Sequence, residues 1–200
     1  MKIGYFADGP WSHLALERII ADRRFEVVFV VPRFDTRDPV LAKFAEQLGV
    51  DFLLLEKLNA PQSVEQLRQY GADLFVSMSY NQIFRQPTIA LPPLGVINCH
   101  AGALPFYRGR NILNWALIND AKSFGVTVHY VDEGIDTGDI ILQRHLPVTD
   151  RDTYGSLLAR AIAGCAEVLI EALDRLERGE VERTLQSSIH PIGTYYGRRL

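Results

Sequence analysis

The sequence has few cysteines, no long apolar run and no strong excess of either charge. Only Cys99 and Cys165 occur among its 200 residues, far apart and outside any CxxC pair, which favours reduced core thiols over a disulfide framework. A net charge of −3 gives no basic field that would attract nucleic acid. The N-terminus lacks the apolar length and cleavage site of a signal peptide, and the run "FEVVFVV" is too short to span a bilayer. We therefore expect a cytoplasmic protein that binds neither nucleic acid nor membrane.

Three common ligand-binding signatures are also missing. The stretch "FADGPW" after the first strand pattern lacks the GxGxxG spacing of a dinucleotide site, and no GxxxxGK[ST] phosphate loop occurs. The stretch "DEGIDTGD" resembles a calcium loop only superficially, because Gly134 takes the place of an oxygen ligand and no glutamate closes twelve residues. We expect no metal in the function.

Strand and helix patterns alternate through the first half of the chain. Buried strands are predicted at Lys2–Ala7, Phe25–Val31, Asp51–Leu55, Leu74–Ser77 and Gly95–His100. Helix starts are predicted at Ser12, at Asp38 with Pro39, and at Ser63 with Gln66; Gly49 and Gly71 are predicted helix ends, and a short helix is expected before Gly95. This alternation indicates an α/β fold with a doubly wound, mainly parallel, Rossmann-like sheet.

The pattern changes in the second half. Two further strands, Gly125–Tyr130 and Ile140–Leu146, flank "VDEGIDTGD" and predict a late strand pair. A long helix from about Thr153 to Arg178 follows, with an apolar stripe at Leu158, Ile162, Cys165, Leu169, Leu173 and Leu176. We expect one catalytic domain over residues 1–182. The aromatic and basic segment 183–200 is expected to be either a natural edge strand or the end of a truncated chain, and it is a candidate homodimer interface.

Polar residues end the predicted central strand, in "VINCHAGALP". Asn98 and His100 share one face of the strand and Cys99 points to the other, so we expect Cys99 to pack rather than react. Ligands of open α/β sheets bind at such carboxyl ends. With Asp136 from the later loop, an amide, an imidazole and a carboxylate would suit acyl-type transfer. The alternative is a strand-end pair that only hydrogen-bonds the next loop.

The stretches "INCHAGALPFYRGR" and "GVTVHYVDEGIDTGDII" together resemble the folate-dependent formyltransferase family. The resemblance runs from about Lys2 to the long helix. It implies the doubly wound fold, 10-formyltetrahydrofolate as formyl donor, and catalytic roles for Asn98, His100 and Asp136. His129 is expected to support the site rather than to act in it.

The resemblance also implies which loops hold the folate. Its pteridine is expected against the backbone of Tyr80, Asn81, Gln82, Ile83 and Phe84 and of Val131, Asp132 and Glu133, with apolar contact from Leu104. The alternative for Tyr80–Phe84 is an ordinary loop between strand and helix.

The acceptor is expected to be a nucleotide-linked amino-dideoxy sugar, with dTDP as the expected nucleotide, because "YRGRNILNWALIND" resembles the nucleotide-sugar formyltransferases. Arg108 and Arg110 suit a diphosphate, since guanidinium groups form fork-like bonds to phosphate. Trp11, Phe106 and Tyr107 are candidates for stacking on a nucleobase, as is the pair Tyr195–Tyr196. The alternatives are that both arginines are merely solvated, and that Trp115 belongs to the core.

Other functions stay open at this point. The same three groups would suit a 10-formyltetrahydrofolate hydrolase that uses water as acceptor. Another small amine or methionyl-tRNA is an alternative acceptor. A non-catalytic folate- or nucleotide-binding module is the alternative outside enzymes.

Overall fold

The structure of the protein is a computed structural model that describes residues 1–197. Its elements in chain order are β1 (Lys2–Ala7), α1 (Pro10–Ala21), β2 (Glu26–Pro32), α2 (Pro39–Leu48), β3 (Asp51–Phe52), α3 (Pro61–Arg68), β4 (Leu74–Met78), β5 (Val96–His100), β6 (Arg108–Gly109), α4 (Ile112–Ile118), β7 (Ser123–Tyr130), β8 (Ile140–Pro147), α5 (Tyr154–Glu177), α6 (Gln186–Ile189) and β9 (Tyr195–Tyr196). In this described part, no helix is both long and apolar enough to cross a membrane.

Seven strands form one sheet in the order β3-β2-β1-β4-β5-β7-β8. The order runs outward from β1 in both directions, which is the doubly wound arrangement of open α/β folds. The pairs β1–β2, β1–β4, β2–β3 and β4–β5 are parallel, and β7–β8 is antiparallel. The predicted fold class, with its late antiparallel pair and long C-terminal helix, is confirmed.

The chain divides into two compact units. The first comprises residues 1–98 and 131–133, and the second comprises residues 99–130 and the chain from Gly134 onward. The expected division at residues 182 and 183 stays a prediction, and the end of that last segment, residues 198–200, lies outside the described residues.

The core of the first unit is aromatic. Phe6 is fully buried and its ring lies 5.6 Å from that of Phe29 and 5.0 Å from that of Phe75. Tyr80 and Phe84, from the loop after β4, extend the cluster at 5.6 and 5.1 Å from Phe6. Packing of these rings against Phe6 holds both ends of the Tyr80–Phe84 loop to the sheet.

The long helix α5 packs on β7 and β8 in the second unit. Thr153 caps its first turn in a reciprocal arrangement with Ser156, at the predicted start. The buried stripe begins at Leu157, whereas Leu158 and Ile162 are only half-buried. The predicted stripe is therefore right from Cys165 onward and displaced at its beginning.

Two helix starts differ from the prediction because a proline sets each of them. α1 begins at Pro10 and α3 at Pro61, since proline fits a first turn whose N–H groups need no helical partner. Ser12 and Ser63, expected as caps, lie inside these helices. Their buried hydroxyls donate instead to earlier backbone carbonyl oxygens, at 2.7 and 2.8 Å.

The predicted start of α2 is confirmed. Asp38 accepts hydrogen bonds from the backbone N–H groups of Val40 and Leu41, Pro39 is the first helical residue, and Gly49 ends the helix in the left-handed region. The strand expected at Asp51–Leu55 is shorter, Asp51–Phe52. The helix expected before Gly95 is wrong, because residues 79–95, all of them described, form turns and bends with prolines at three positions.

Candidate active site

His100 is the last residue of β5, and a backbone carbonyl holds its ring. Its Nε2 lies 2.7 Å from the carbonyl oxygen of Tyr107, so Nε2 carries a proton, because a carbonyl only accepts. Gly102 makes room for this contact. A Cβ at Gly102 would lie 2.5 Å from Nε2 of His100 and 2.6 Å from the Tyr107 oxygen, closer than real contacts allow. The orientation of His100 therefore requires a glycine at position 102.

Asp136 lies in the loop between β7 and β8, with its carboxylate between two imidazoles. Its Oδ2 is 3.7 Å from Nδ1 of His100, and its Oδ1 is 3.6 Å from Nε2 of His129. The backbone N–H of Gly109 donates to Oδ2 at 2.9 Å. Its side chain is 14% exposed. The predicted proximity of His100 and Asp136 is thus found within the second unit.

These neighbours keep Asp136 ionised. Burial is the largest single influence and opposes the charged form. The imidazoles of His100 and His129 and the N–H of Gly109 outweigh burial together, so the pKa of Asp136 lies well below its ordinary value. A carboxylate in this state accepts a proton only transiently, and it attracts cations and N–H donors.

Both ring nitrogens of His100 face acceptors. The Tyr107 carbonyl lies at Nε2 and the Asp136 carboxylate faces Nδ1. Nε2 donates to the carbonyl, whereas the 3.7 Å between Nδ1 and Oδ2 of Asp136 is longer than a hydrogen bond. His129 is 2% exposed and its Nδ1 lies 2.8 Å from the Tyr130 carbonyl oxygen. The arrangement suits stabilisation of negative charge that develops on a substrate oxygen.

Asn98 and Cys99 have separate surroundings in β5. Asn98 is half-buried, belongs to the first unit and is paired in register with Ser77 of β4. Cys99 is buried and its Sγ lies 3.6 Å from the carbonyl oxygen of Cys165. Contact with Cys165 and burial both raise the pKa of the Cys99 thiol well above its ordinary value. Cys99 is therefore a packing residue, as predicted, and both cysteines are free.

The two loops expected to hold a pteridine both belong to the first unit. Tyr80, Phe84 and Val131 contribute to its hydrophobic cluster. Gln82 fixes its own loop, because its Oε1 accepts from the backbone N–H of Leu58 at 2.8 Å. The neighbouring predicted residues Asn81, Ile83, Asp132 and Glu133 are exposed.

These loops also use their backbone groups. The N–H of Val131 donates to the carbonyl of Val96 at 2.8 Å, and the N–H of Gln86 lies 3.4 Å from Oε1 of Glu133. Leu104, the other residue predicted to contact the folate, lies in the second unit and is 1% exposed.

The residues proposed for the acceptor fall into different surroundings. Trp11 is half-buried in the first turn of α1, in the first unit. In the second unit, the ring of Phe106 lies 5.2 Å from that of His190. Arg108 is held by other protein groups, whereas Arg110 is exposed and makes no side-chain hydrogen bond or ion pair with another described residue.

An aromatic cluster of Tyr107, Trp115 and Tyr196 adjoins Arg110. Tyr107 and Tyr196 stack with centroids 5.1 Å apart, and Trp115 lies 5.1 Å from Tyr196. The N–H of Arg110 donates to the carbonyl of Tyr196 at 2.9 Å. Trp115 is half-buried, so the alternative that assigned it to the core is wrong.

Several residues of the site escaped the sequence analysis. Gly109 acts through its backbone N–H, and the Tyr107 carbonyl holds His100; neither leaves a side-chain signal. Gln186 is buried beside the Asp136 loop, although it lies in a polar stretch that gives no hint of burial. Among residues 1–197, no group of three or more His, Cys, Asp or Glu side chains is arranged to hold a metal ion.

Comparison with known proteins identifies the family. The sequence pattern of the formyl transferase family matches residues 19–173 of this chain. This range includes His100, His129 and Asp136. The chain belongs to the formyl transferase family. The family resemblance seen in the two sequence stretches is therefore confirmed.

Proteins with different names resemble this chain in sequence or in fold. Methionyl-tRNA formyltransferase of Acetivibrio thermocellus is 33% identical over 98% of this chain and 64% of its own length. Glycinamide ribonucleotide transformylase 1 of Symbiobacterium toebii is 29% identical, with a TM-score of 0.79 over 92% of this chain and 94% of that one. The N-formyltransferase of Helicobacter canadensis, solved with folinic acid and dTDP-3-aminofucose, is 21% identical, with a TM-score of 0.75 over 99% of this chain and 71% of that one. The last of these likenesses concerns the fold alone.

The chain spans about two thirds or less of the curated relatives that it matches. Its share is 64% of the Acetivibrio thermocellus protein and 54% of the relative from Citrifermentans bemidjiense, to which it is 40% identical. The family is thus established for this chain, whereas its acceptor is a separate question.

Proposed function

We propose that the protein transfers the formyl group of 10-formyltetrahydrofolate to the amine of a nucleotide-linked amino sugar. The observation that best supports formyl transfer is that the carboxylate of Asp136 lies beside the imidazole of His100, in a chain of the formyl transferase family. Members of this family use 10-formyltetrahydrofolate, and the Helicobacter canadensis relative was solved with folinic acid.

In the proposed reaction, the free amine of the acceptor attacks the formyl carbon of the donor. The carbonyl electrons move to oxygen, where the amide of Asn98 and the protonated ring of His100 stabilise the negative charge. Asp136 receives the amine proton, directly or through a water molecule. The oxyanion electrons then re-form the carbonyl, the bond from the formyl carbon to N10 breaks with its electron pair staying on N10, and N10 takes up the proton that Asp136 received, which restores the carboxylate. The products are the sugar formamide and tetrahydrofolate.

The proposed donor site uses loops that the hydrophobic cluster already fixes. Tyr80–Phe84 and Val131–Glu133, both in the first unit, supply backbone groups for the pteridine. Because Tyr80 and Phe84 are anchored through their rings, little ordering of the loop would be needed on binding.

The proposed acceptor site rests on Arg110 and the aromatic cluster. An exposed guanidinium suits a diphosphate, and aromatic rings beside it suit a nucleobase. Of the two predicted arginines we assign the diphosphate to Arg110, because the donors of Arg108 already bind protein groups. Trp11 and Phe106 are further candidates for contact with the acceptor.

Methionyl-tRNA is the second candidate acceptor. It is favoured by 33% identity to the Acetivibrio thermocellus enzyme over nearly the whole of this chain. A net charge of −3 argues against it, because tRNA binding depends largely on basic groups that neutralise phosphates.

A panel of acceptors tests this function. The protein is mixed with 10-formyltetrahydrofolate and, in separate reactions, dTDP-4-amino-4,6-dideoxyglucose, dTDP-3-amino-3,6-dideoxygalactose, glycinamide ribonucleotide, charged initiator methionyl-tRNA or no acceptor. Formylated product and formate are measured by mass spectrometry. Formylation of a dTDP-sugar supports the proposal, whereas formylation of methionyl-tRNA or glycinamide ribonucleotide alone contradicts the sugar assignment. Formate release without acceptor would instead indicate a hydrolase.

The variant Arg110→Ala tests the diphosphate assignment. We expect it to raise the KM for the dTDP-sugar about tenfold or more, since a charge-assisted phosphate contact is lost, and to leave kcat nearly unchanged. Arg151→Ala is the control, because Arg151 is also exposed and lies before α5. An unchanged KM in Arg110→Ala would remove the assignment.

A further inference from the structure

Gln186 is a buried amide in an exposed stretch of chain. It is 3% exposed, while residues 185 and 187–190 around it are exposed. Burying an amide is costly unless its N–H groups and its carbonyl oxygen find partners. Its neighbours therefore show what the burial achieves.

All four hydrogen-bonding positions of the Gln186 amide are used. Its Oε1 accepts from Nε and Nη2 of Arg108, at 3.0 and 2.7 Å. Its Nε2 donates to the backbone carbonyl oxygens of Asp136 and Gly138, at 2.8 and 2.7 Å. The orientation of the amide follows from these partners, because a guanidinium only donates and a carbonyl only accepts.

These bonds close a ring around Asp136. Gln186 holds the guanidinium of Arg108, the next residue Gly109 donates its N–H to Oδ2 of Asp136, and the carbonyl of Asp136 returns to Gln186. Asp136 is thus held at its carboxylate and at its backbone. It also has a φ of 54°, in the left-handed region that a non-glycine residue occupies only when its surroundings impose it.

We propose that Gln186 is a positioning residue for formyl transfer: it fixes the Asp136 loop so that the carboxylate faces His100, and it fixes Arg108 in the adjoining loop. That the positioned carboxylate acts in formyl transfer rests on the proposed function. Arg108 is then part of the same support rather than a ligand of the acceptor diphosphate, and its third donor, Nη1, reaches the carbonyl of Ile192 at 3.0 Å.

Two variants cut the two sides of this ring separately. Gln186→Glu keeps an acceptor for Arg108 and replaces the two N–H donors with oxygens that face the carbonyls of Asp136 and Gly138. Arg108→Met removes the guanidinium and leaves the amide donors in place. Ser187→Ala is the matched control, because Ser187 is the exposed neighbour in the same helix.

The first readout needs no acceptor. The backbone amide of Gly109, which Gln186 does not touch, is followed by two-dimensional NMR and hydrogen exchange. In Gln186→Glu we expect its resonance to move and its exchange to accelerate about tenfold or more, because the bond to Asp136 loosens. The amide of Phe6 in β1 should keep its exchange rate, and Ser187→Ala should leave both unchanged.

Two outcomes of this readout overturn the proposal. One is an unchanged Gly109 amide in Gln186→Glu. The other is equal acceleration at Gly109 and Phe6, which would mean that Gln186 only stabilises the fold. If Gln186→Glu does not fold, the exchange of the Gly109 and Phe6 amides is measured in Arg108→Met instead. The same two outcomes would then overturn the proposal.

The second readout is kinetic and uses 10-formyltetrahydrofolate with the acceptor that the panel identifies. We expect kcat to fall about 10- to 100-fold in Gln186→Glu, as for small misplacements of reacting groups, while each KM stays within about twofold. The double variant with Arg108→Met should lose no more than the worse single variant, because both cut one ring. An unchanged kcat, or losses that multiply, would overturn the proposal. If no acceptor is formylated, the proposed function fails, whereas the Gly109 amide still decides whether Gln186 positions Asp136.

Discussion

Asp136 is the residue on which the contacts of the site converge. His100 and His129 face its two oxygens, and the Gly109 N–H donates to Oδ2. The pKa of its carboxyl lies well below the ordinary value although burial alone would raise it. Asp136 is therefore ionised at neutral pH.

The stability of the protein should depend on pH through Asp136. Because its folded-state pKa lies below the unfolded value of about 3.9, the ionised carboxylate favours the folded state above that value, and this contribution is lost as pH falls toward the folded-state pKa. We compare the wild type with Asp136→Asn by urea unfolding at pH 7, 5, 4 and 3. The free-energy difference should shrink as pH falls from 4 to 3, where the carboxylate itself takes up a proton. A difference that grows on acidification would contradict this account.

Gly102 provides a second test at the level of a single residue. In Gly102→Ala the new methyl group would meet Nε2 of His100 and the carbonyl of Tyr107, so the 2.7 Å contact must open. We expect a loss of about 1–3 kcal/mol of stability from overpacking and at least about a tenfold loss of turnover.

The matched control for that change is Gly155→Ala in the first turn of α5. There a Cβ meets nothing closer than Oγ1 of Thr153, at 3.8 Å. Alanine favours a helix, so we expect it to be neutral or to stabilise by up to about 1 kcal/mol, measured by the same denaturation assay. Equal turnover in Gly102→Ala and Gly155→Ala would show that the orientation of His100 does not depend on Gly102.

At the scale of the elements, loops held at the ends of strands provide the functional groups. Asp38 shows how such a loop is fixed in the first unit. Besides capping α2, its carboxylate accepts from the N–H of Gly9 at 2.7 Å and lies 2.7 Å from Nε2 of His13. One buried side chain therefore sets the beginning of two helices, α1 and α2.

Replacement of Asp38 should consequently affect both helix starts. We expect Asp38→Ala to lower the free energy of unfolding by about 2–3 kcal/mol, because a cap is lost and the Gly9 N–H loses its partner. Asp38→Asn keeps one oxygen for the cap of α2 but turns an N–H donor toward the Gly9 N–H, so it should cost about 1–2 kcal/mol, less than Asp38→Ala. Urea unfolding checks both, and equal losses in the two variants would contradict the capping role.

Prediction from sequence succeeded where the signal is local to an element. Alternation placed β1, β2, β4 and β5 within one residue of their bounds, and the cap at Asp38 was predicted correctly. Ser12 and Ser63 failed as caps because a proline two residues earlier starts each helix. A serine that prefers an N-cap in general is overruled where a proline already defines the first turn.

The predicted site depends on contacts that alternation does not encode. The pairing of His100 with Asp136 was suggested by the polar loop around Asp136 and then implied by the family resemblance, and the alternation of strands and helices did not contribute to it. Gln186 reaches Arg108 across 78 residues and the Asp136 carbonyl across 50, through an amide whose burial no local pattern indicates. Backbone donors such as Gly109 are invisible for the same reason: any residue supplies an N–H, and only the fold decides where it points.

At the scale of the whole molecule, family and acceptor are separate conclusions. The fold and the family extend over most of the chain, and similar proteins include ones named for methionyl-tRNA and for glycinamide ribonucleotide. The groups proposed for chemistry, His100 and Asp136, lie within residues 19–173, which match the family. Of the groups proposed for the acceptor, Arg110, Tyr107 and Trp115 lie in the same range and Tyr196 lies in β9, outside it. The two sets nevertheless consist of different side chains. Formyl transfer and acceptor choice can therefore be tested independently.

The most direct test of formyl transfer follows a labelled formyl group with and without His100. The wild type and His100→Asn are incubated with 10-formyltetrahydrofolate carrying ¹³C in the formyl group and with the acceptors of the panel, and the labelled formamide is measured over time. His145→Asn, an exposed histidine in β8, is the control. We expect the label on the acceptor amine with wild type and control, and turnover about 10²–10⁴ times lower in His100→Asn, whose circular dichroism and melting temperature should be near those of the wild type. Near-normal transfer by folded His100→Asn, or no labelled formamide from any acceptor with the wild type, would contradict the account.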